Sequence, residues 1–570
     1  MDDVDAVNAQ IARNMLDSGD WVTARIDGVK YLEKSPLGFW LMASSYAVFG
    51  VHDWAARLPT ALGAIALMFV TAALGSWGFG RRAGFYAGLA VGTSAGLFLF
   101  TRIVIPDVLL TLSITCSFYC FVKALDEGPE NRRWWAWGFW AFIGVGMLLK
   151  GLLAALVPVA TGTLYLLLTR RFFARGSWRR LRPLTGIPLA ILIYAPWVAL
   201  ATLRNPPFFD FTFHSDPGVY RGFFWFYFIN EHILRFLNLR YPRDYNTVPR
   251  IPFLLLHLVW IFPWSVFLPV ALHGWRPFGE DRSSRLRVLA VIWIVFLLTF
   301  LSFSTTQEYY SMPCYPAFAL LAGAALAGGA RRWIAAGYGM LAALGCAAAA
   351  AAGVILYLVR GMTPVGDISN ALSRNPSEYT LSLGHMLDLT LASFAYLRAP
   401  LALAGLALGA GALAAWFTRR SAVAPLCLAA MMALFLQAAH RAMGIFDPYL
   451  SSRPLADTLE RSPGGQLVIE GHYYPASSVV FYTDQKALLL NGRQENLAYG
   501  SVAPGAPPVF LEDTGLAQRW KGERRLYLVA PESSRPRFQS LLGAIYVVAE
   551  RGGKCLLSNQ PVRADAPGFH

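Results

Sequence analysis

Charge is the scarcest ingredient of this chain. Charged side chains make up 15% of its 570 residues, where a soluble globular chain carries about 25%. With 56% hydrophobic residues and a mean hydropathy of +0.44, that scarcity excludes an ordinary soluble domain and makes the chain a polytopic membrane protein. Cysteine pairing is lacking too. Cys116, Cys120, Cys314, Cys346, Cys427 and Cys555 lie mostly inside or at the ends of apolar spans, without metal-ligand spacing or a paired framework, and read as core residues. A basic leader is missing, since Met1-Asp2-Asp3-Val4-Asp5 is acidic, which argues against a cleavable signal peptide. Internal repeats are missing, and low complexity is confined to the Ala-rich stretch 342–352. The net charge of +15 does not point to nucleic acid, because Lys and Arg gather in short clusters between apolar spans, as they do in inner loops.

What is present is a succession of apolar segments, at roughly 59–79, 83–102, 108–124, 134–149, 151–169, 183–203, 251–274, 287–303, 313–329, 333–358, 395–417 and 421–443. Each approaches the ~20 residues that cross ~30 Å of hydrocarbon, so about 12 transmembrane helices are expected. Arg81-Arg82, Arg132-Arg133, the Arg-rich run 170–182, the run 276–287, Arg331-Arg332 and Arg419-Arg420 all fall on one side, which the positive-inside rule makes cytoplasmic. The other side receives residues 1–58, the loop 204–250 and everything after Gly444. Within 1–58, Ala6–Leu16 predicts a helix ending at Ser18-Gly19, and Leu37–Phe49, too short to span, predicts a juxtamembrane helix. Residues 445–570 change character. Strand-like runs at Gln466–Glu470, Ser478–Tyr482, Ala487–Leu490, Val509–Leu511, Arg525–Val529, Tyr546–Ala549 and Lys554–Leu557, with helical stretches near 453–461 and 533–542, predict a soluble α/β domain on the external face. The expected organisation is an external segment 1–58, a transmembrane domain 59–444 and the soluble domain 445–570.

Nearly all the unusual ionisable residues are external, and charge beside a bilayer is costly enough to suggest function. Glu33-Lys34 are adjacent and cannot share one face of regular structure; alone they read as a solvated turn. Asp107, after Pro106 at the junction of two spans, reads equally as a helix cap or a catalytic acid. In Asn230-Glu231-His232-Ile233-Leu234-Arg235 the His is by itself an ordinary hydrogen-bonded residue, and Glu231 with Arg235 forms a helical i,i+4 pair. Tyr309-Tyr310 reads as interfacial belt.

Taken together, Gly19-Asp20-Trp21-Val22-Thr23, Tyr31-Leu32-Glu33-Lys34-Ser35-Pro36, Ala55-Ala56-Arg57-Leu58-Pro59, Pro106-Asp107, Glu231-His232-Ile233-Leu234-Arg235-Phe236 and Tyr309-Tyr310…Pro313 resemble the bacterial aminoarabinose (lipid A) transferases. These belong with the protein O-mannosyltransferases among the GT-C glycosyltransferases. The resemblance implies transfer of a monosaccharide from a polyprenyl (undecaprenyl) phosphate donor to a lipid A, glycan or protein acceptor, at the periplasmic face of a bacterial inner membrane. It implies that Lys34, Arg235 and Tyr310 meet the donor phosphate, and that a divalent, zinc-like ion can lie between Glu33 and His232. Asp107 matches one family acid. A second matches Asp3, with Asp5 close behind. Thr305-Thr306-Gln307 stands where relatives often carry lysine. The family also begins with a membrane helix ahead of the first external acid, and the expectation is a late start codon with a thirteenth span upstream of Met1. The rival reading is a transporter or flippase of lipid-linked sugar, which would place polar groups near the bilayer midplane and often show repeat symmetry.

Overall fold

The computed structural model of the chain describes residues 1–126, 132–243, 247–273, 279–304, 306–328, 330–373 and 384–562. Apolar segments in lipid must satisfy their own backbone groups, so they form helices. Among the described residues all twelve apolar segments do so. Eight helices there are long and apolar enough to cross a membrane, and two pairs bent by 49° and 97°, each taken as one span, bring the number to ten. Arg132–Lys150 and Leu153–Leu168 carry the other two segments. The sharper bend falls between Arg250–Trp260 and Trp264–Ala271, where Pro263 interrupts the backbone ladder.

The first eight helices of the chain and one hairpin lead it to the site. Helix α1 (Asp3–Ser18) stops at Gly19, which takes the left-handed φ of +68° that a closing turn needs. The short strands β1 (Arg25–Ile26) and β2 (Val29–Lys30) pair antiparallel across an Asp27-Gly28 turn. An extended stretch then enters α2 (Leu37–Phe49), followed by the long helix α3 (Asp53–Phe79). Helices α4 (Arg81–Gly92) and α5 (Ala95–Thr101) form the gentler bent pair, α6 (Asp107–Leu125) begins directly after Pro106, and α7 (Arg132–Lys150) runs into Gly151 and α8 (Leu153–Leu168).

The C-terminal region folds as a six-stranded sheet in the order β5-β4-β3-β6-β8-β7, formed by β3 (Gln466–Glu470), β4 (Ala487–Leu490), β5 (Phe510–Leu511), β6 (Leu526–Pro531), β7 (Tyr546–Arg551) and β8 (Lys554–Ser558). The first four strands in space are parallel, and β8 and β7 add as an antiparallel hairpin. Ser478–Tyr482, expected as a strand, is instead part of the helix Ser477–Thr483. A five-residue apolar run carries no period of its own, and packing decides between helix and strand. Here Val479, Val480 and Phe481 share one buried core with Ala6, Ala9, Ala12 and Met15 of α1. Helix α1 is thereby built into the side of the C-terminal domain.

Candidate active site

A cavity of about 790 Å³ opens where the stretch before α2, the start of α6, the α7–α8 junction and the segment 227–235 converge. Polar groups from Glu33 and Lys34, Asp107, Lys150, Glu231 to Arg235, and Tyr309-Tyr310 line one part of it. Leu152, Leu156, Val159, Phe236, Phe300 and Leu301 continue the wall as apolar surface.

Glu33 is the buried anchor of the polar part. Its carboxylate accepts from the Tyr31 hydroxyl at 2.7 Å, pairs with Lys34 Nζ at 2.8 Å and meets the Arg240 guanidinium at 2.8 Å. Burial works against its charge, but Lys34 and Arg240 outweigh burial and hold its pKa down to about 2. Arg240 also donates to Glu231, whose second oxygen accepts from Arg235 at 2.8 Å. Arg235 in turn donates to the Tyr310 hydroxyl at 2.7 Å. The i,i+4 pair of Glu231 and Arg235 therefore exists, and it is one link in a chain running from Glu33 to Tyr310.

Asp107 sits in the first turn of α6, where the helix dipole favours a carboxylate. It is buried, and its side chain goes to Lys150 rather than to the helix end. The Lys150 ammonium lies 4.2 Å from the centre of the Tyr310 ring, so this pair faces the same region as Arg235.

The loop carrying His232 is a π-helix, Trp225–Leu234, whose widened turn often marks functional segments. His232 Nδ1 lies 2.6 Å from the Tyr227 carbonyl and therefore donates to it, while Nε2 accepts from the Leu152 amide at 3.1 Å. The ring is thus neutral, and burial pushes its pKa down. Gly151, at φ +62°, lets the chain pass over this ring, since a Cβ there would collide with Nε2 and with the Tyr227 hydroxyl. The contact fixes the turn that follows Lys150.

Among the described residues no group of three or more His, Cys, Asp or Glu is arranged to hold a metal ion. Both ring nitrogens of His232 and the carboxylate of Glu33 are taken up by protein partners, so the expected donor pair does not fit a divalent ion in this arrangement.

Of the residues expected from the sequence, the cavity brings together Glu33, Lys34, Asp107, His232, Arg235 and Tyr310. It does not include Asp3 or Asp5, and the reason is their partners. Asp3 accepts from the Ser452 and Ser478 hydroxyls at 2.9 and 2.6 Å and pairs with Lys554, all in the C-terminal region. Asp5 pairs with Arg57 at 2.6 Å and accepts from the Val104 amide at 2.8 Å. Helix α1 presents Asn8 to the cavity instead. Thr305 lies outside the described residues. Sequence reading passed over Lys150 and Arg240, which meet their partners 43 and 207 residues away. The one sequence sign was Lys150-Gly151, a cation at the junction of two apolar segments. The C-terminal domain reaches the site as well, through Tyr474, whose hydroxyl lies 2.8 Å from that of Tyr31.

Comparison with known proteins agrees with this architecture. Residues 33–199 match the family described as dolichyl-phosphate-mannose-protein mannosyltransferase. An undecaprenyl phosphate-alpha-4-amino-4-deoxy-L-arabinose arabinosyl transferase of Aeromonas salmonicida is 30% identical over 321 residues, 55% of this chain and 53% of that protein. The protein of the same name from Pseudomonas aeruginosa is 31% identical over 329 residues, 56% and 54% of the two chains. The chain thus matches about half the length of these curated relatives. The crystal structure of ArnT from Cupriavidus metallidurans bound to undecaprenyl phosphate superposes with a TM-score of 0.79 at 23% identity, covering 100% of this chain and 95% of that one. In its apo state the TM-score is 0.77.

The chain is therefore a multi-pass membrane protein with the GT-C fold. Within that class, its resemblance to the aminoarabinose transferases, read above from short motifs, is borne out by the relatives and by the fold.

Proposed function

We propose that the protein is an integral-membrane glycosyltransferase that moves a monosaccharide from a polyprenyl phosphate, of the undecaprenyl kind, to a lipid A, glycan or protein acceptor. The observation that carries this reading is the cavity itself, in which Lys34, Lys150 and Arg235 stand with their acid partners in one polar part and apolar side chains such as Leu152, Leu156, Val159 and Phe300 continue the wall. A phosphate joined to a long hydrocarbon has that same division of polarity. In the site Lys34, Lys150, Arg235 and Arg240 stand against Glu33, Asp107 and Glu231, which leaves one net positive charge, matching the single negative charge of a sugar phosphodiester.

In the proposed reaction an acceptor oxygen attacks the anomeric carbon as the bond from that carbon to the phosphate oxygen breaks. The electron pair leaves with the polyprenyl phosphate, so negative charge grows on the phosphate, and preorganised cations there lower the barrier. Lys34 and Lys150 act as point charges, while the Arg235 guanidinium presents paired donors. Asp107, released from Lys150 as that ammonium turns to the phosphate, takes the proton of an acceptor hydroxyl. An acceptor that is already an anion needs no such base. The Arg-rich clusters put the opposite ends of the helices in the cytoplasm, so the site and the C-terminal domain face the periplasm of an inner membrane. The relatives' names motivate the donor class, and the acceptor is the step to test. Mass spectrometry of lipid A, envelope glycans and glycoproteins from a deletion strain should show one class losing a sugar that the intact gene restores. Unchanged profiles in all three would overturn the reading.

A further inference from the structure

The helix Pro183–Arg204 shows the apolar flank expected of a membrane span, with Leu192, Leu200 and Leu203 exposed. That apolar surface continues past the end of the helix. Phe208, Phe209, Phe211 and Phe213 follow almost at once, and they are 49%, 68%, 64% and 60% exposed. A contiguous exposed apolar patch marks a surface that meets a partner.

The rings are held outward by the polar residues between them. Asp210 and Thr212 alternate in sequence with Phe209, Phe211 and Phe213, and they turn toward the protein. Arg221 pairs with Asp210 at 3.0 Å and with Asp216 at 2.7 Å, and it also donates to the Thr212 hydroxyl at 3.3 Å. The Thr212 carbonyl accepts from the Trp225 indole at 2.6 Å. Phe209 and Phe211 both meet the Phe224 ring edge-on, with centroids 5.0 and 5.4 Å away. Phe224 in turn lies 5.1 Å from Phe228, in the π-helix that carries His232. The exposed rings are therefore braced onto an element that lines the large cavity.

The position of the patch selects its partner. It extends a helix flank that already faces lipid, so a protein docked on it would have to displace the lipid that meets Leu200 and Leu203. His214 and Asp216 pair at 3.5 Å just beyond Phe213. Polar groups there suit the headgroup level, where interfacial elements bury their apolar side by ~5–10 Å.

We propose that the segment 208–213 is a membrane-surface anchor, whose phenylalanine rings enter the boundary between headgroups and acyl chains and hold the π-helix at the height of the bilayer surface. The partner is bilayer lipid, and the proposal does not depend on the reaction assigned to the large cavity. The test uses the full-length protein in phosphatidylcholine vesicles, with Phe209→Cys, Phe211→Cys and Phe213→Cys each carrying an environment-sensitive fluorophore. Cys346, which is exposed, is removed by Cys346→Ser, and that variant alone sets the labelling blank. Lys521→Cys, on the exposed surface of the C-terminal domain, is the water-facing control. A nitroxide lipid labelled near its headgroup should quench the labels at the three phenylalanine positions at least about twofold more than the control label, and aqueous iodide should show the reverse order. A variant that does not fold is replaced by either of the other two, which read the same face. Iodide quenching equal to that of the control, without lipid quenching, overturns the proposal. Protection from both quenchers, the sign of a second copy covering the rings, overturns it as well.

Discussion

Two sets of buried acids, one in α1 and one around the large cavity, look alike until their partners are compared. Asp3, Asp5, Asp107, Glu33 and Glu231 are all nearly inaccessible, and every one of them is ion-paired. The α1 acids pair with Lys554 and Arg57, neither of which borders the large cavity, and Asp3 fastens α1 to the C-terminal domain. Asp107 and Glu33 pair with Lys150 and Lys34, which do line that cavity. Burial and pairing therefore do not set the two groups of acids apart. What distinguishes them is whether the paired cation also faces space that a ligand can fill.

The contrast can be broken or sharpened by substitution. Asp107→Asn should leave the folded protein in the membrane while turnover with a polyprenyl-phosphate sugar falls about 10²–10⁴-fold, the usual loss on removing a general base. An intact rate would move Asp107 into the structural set. Asp3→Ala should do the reverse. It leaves Lys554 largely buried and unpaired, a change that costs about 3–5 kcal/mol, so the melting temperature should drop clearly while turnover per folded molecule stays within about threefold, the rate following stability and not chemistry. Loss of activity without loss of stability would return Asp3 to the site. Lys34→Ala removes one charge-assisted contact, worth about 1.5–3 kcal/mol, so the donor KM or the affinity for polyprenyl phosphate should worsen about 10–100-fold. Tyr474→Phe removes the hydroxyl behind Glu33 that meets Tyr31 and Asn496, each such bond being worth about 1 kcal/mol. It should lower turnover only about fivefold, which activity assays in matched preparations would detect.

Acid titration gives the smallest effect. The folded-state pKa of Glu33, about 2, lies below its ordinary value of 4.5. Its contribution to stability is therefore complete above pH 4.5 and is lost as pH falls from there toward 2. Thermal melts between pH 6 and 3 should show this loss, and Glu33→Gln should flatten that part of the profile. A profile unchanged by the substitution would show that Glu33 does not carry the acid sensitivity.

The twelve apolar segments were legible because lipid leaves a backbone few options, and helices satisfy it locally. Glu33-Lys34, Pro106-Asp107 and Glu231 to Arg235 were legible as motifs because each is contiguous in the chain. Lys150 and Arg240 were not, because their meaning comes from acids on other elements. That Asp3 and Asp5 stand outside the cavity was not legible either, for a related reason. A 100° step per residue fixes which side chains share a face of α1, but not which neighbour covers that face. The run Ser478–Tyr482 shows the same limit at the level of secondary structure, since its helix follows from packing against α1.

By itself, then, the sequence determined that this is a many-helix membrane protein with a strand-containing C-terminal domain, and that short motifs rich in ionisable residues sit at the ends of its spans. Those properties follow from local hydropathy, charge and spacing. Only the tertiary structure decided that Lys150 joins Asp107, that Arg240 ties Glu33 to Glu231, and that α1 gives its first acids to the C-terminal domain and Asn8 to the cavity. Ion pairs between distant residues are set by how helices pack, and hydropathy along one chain carries no record of that packing.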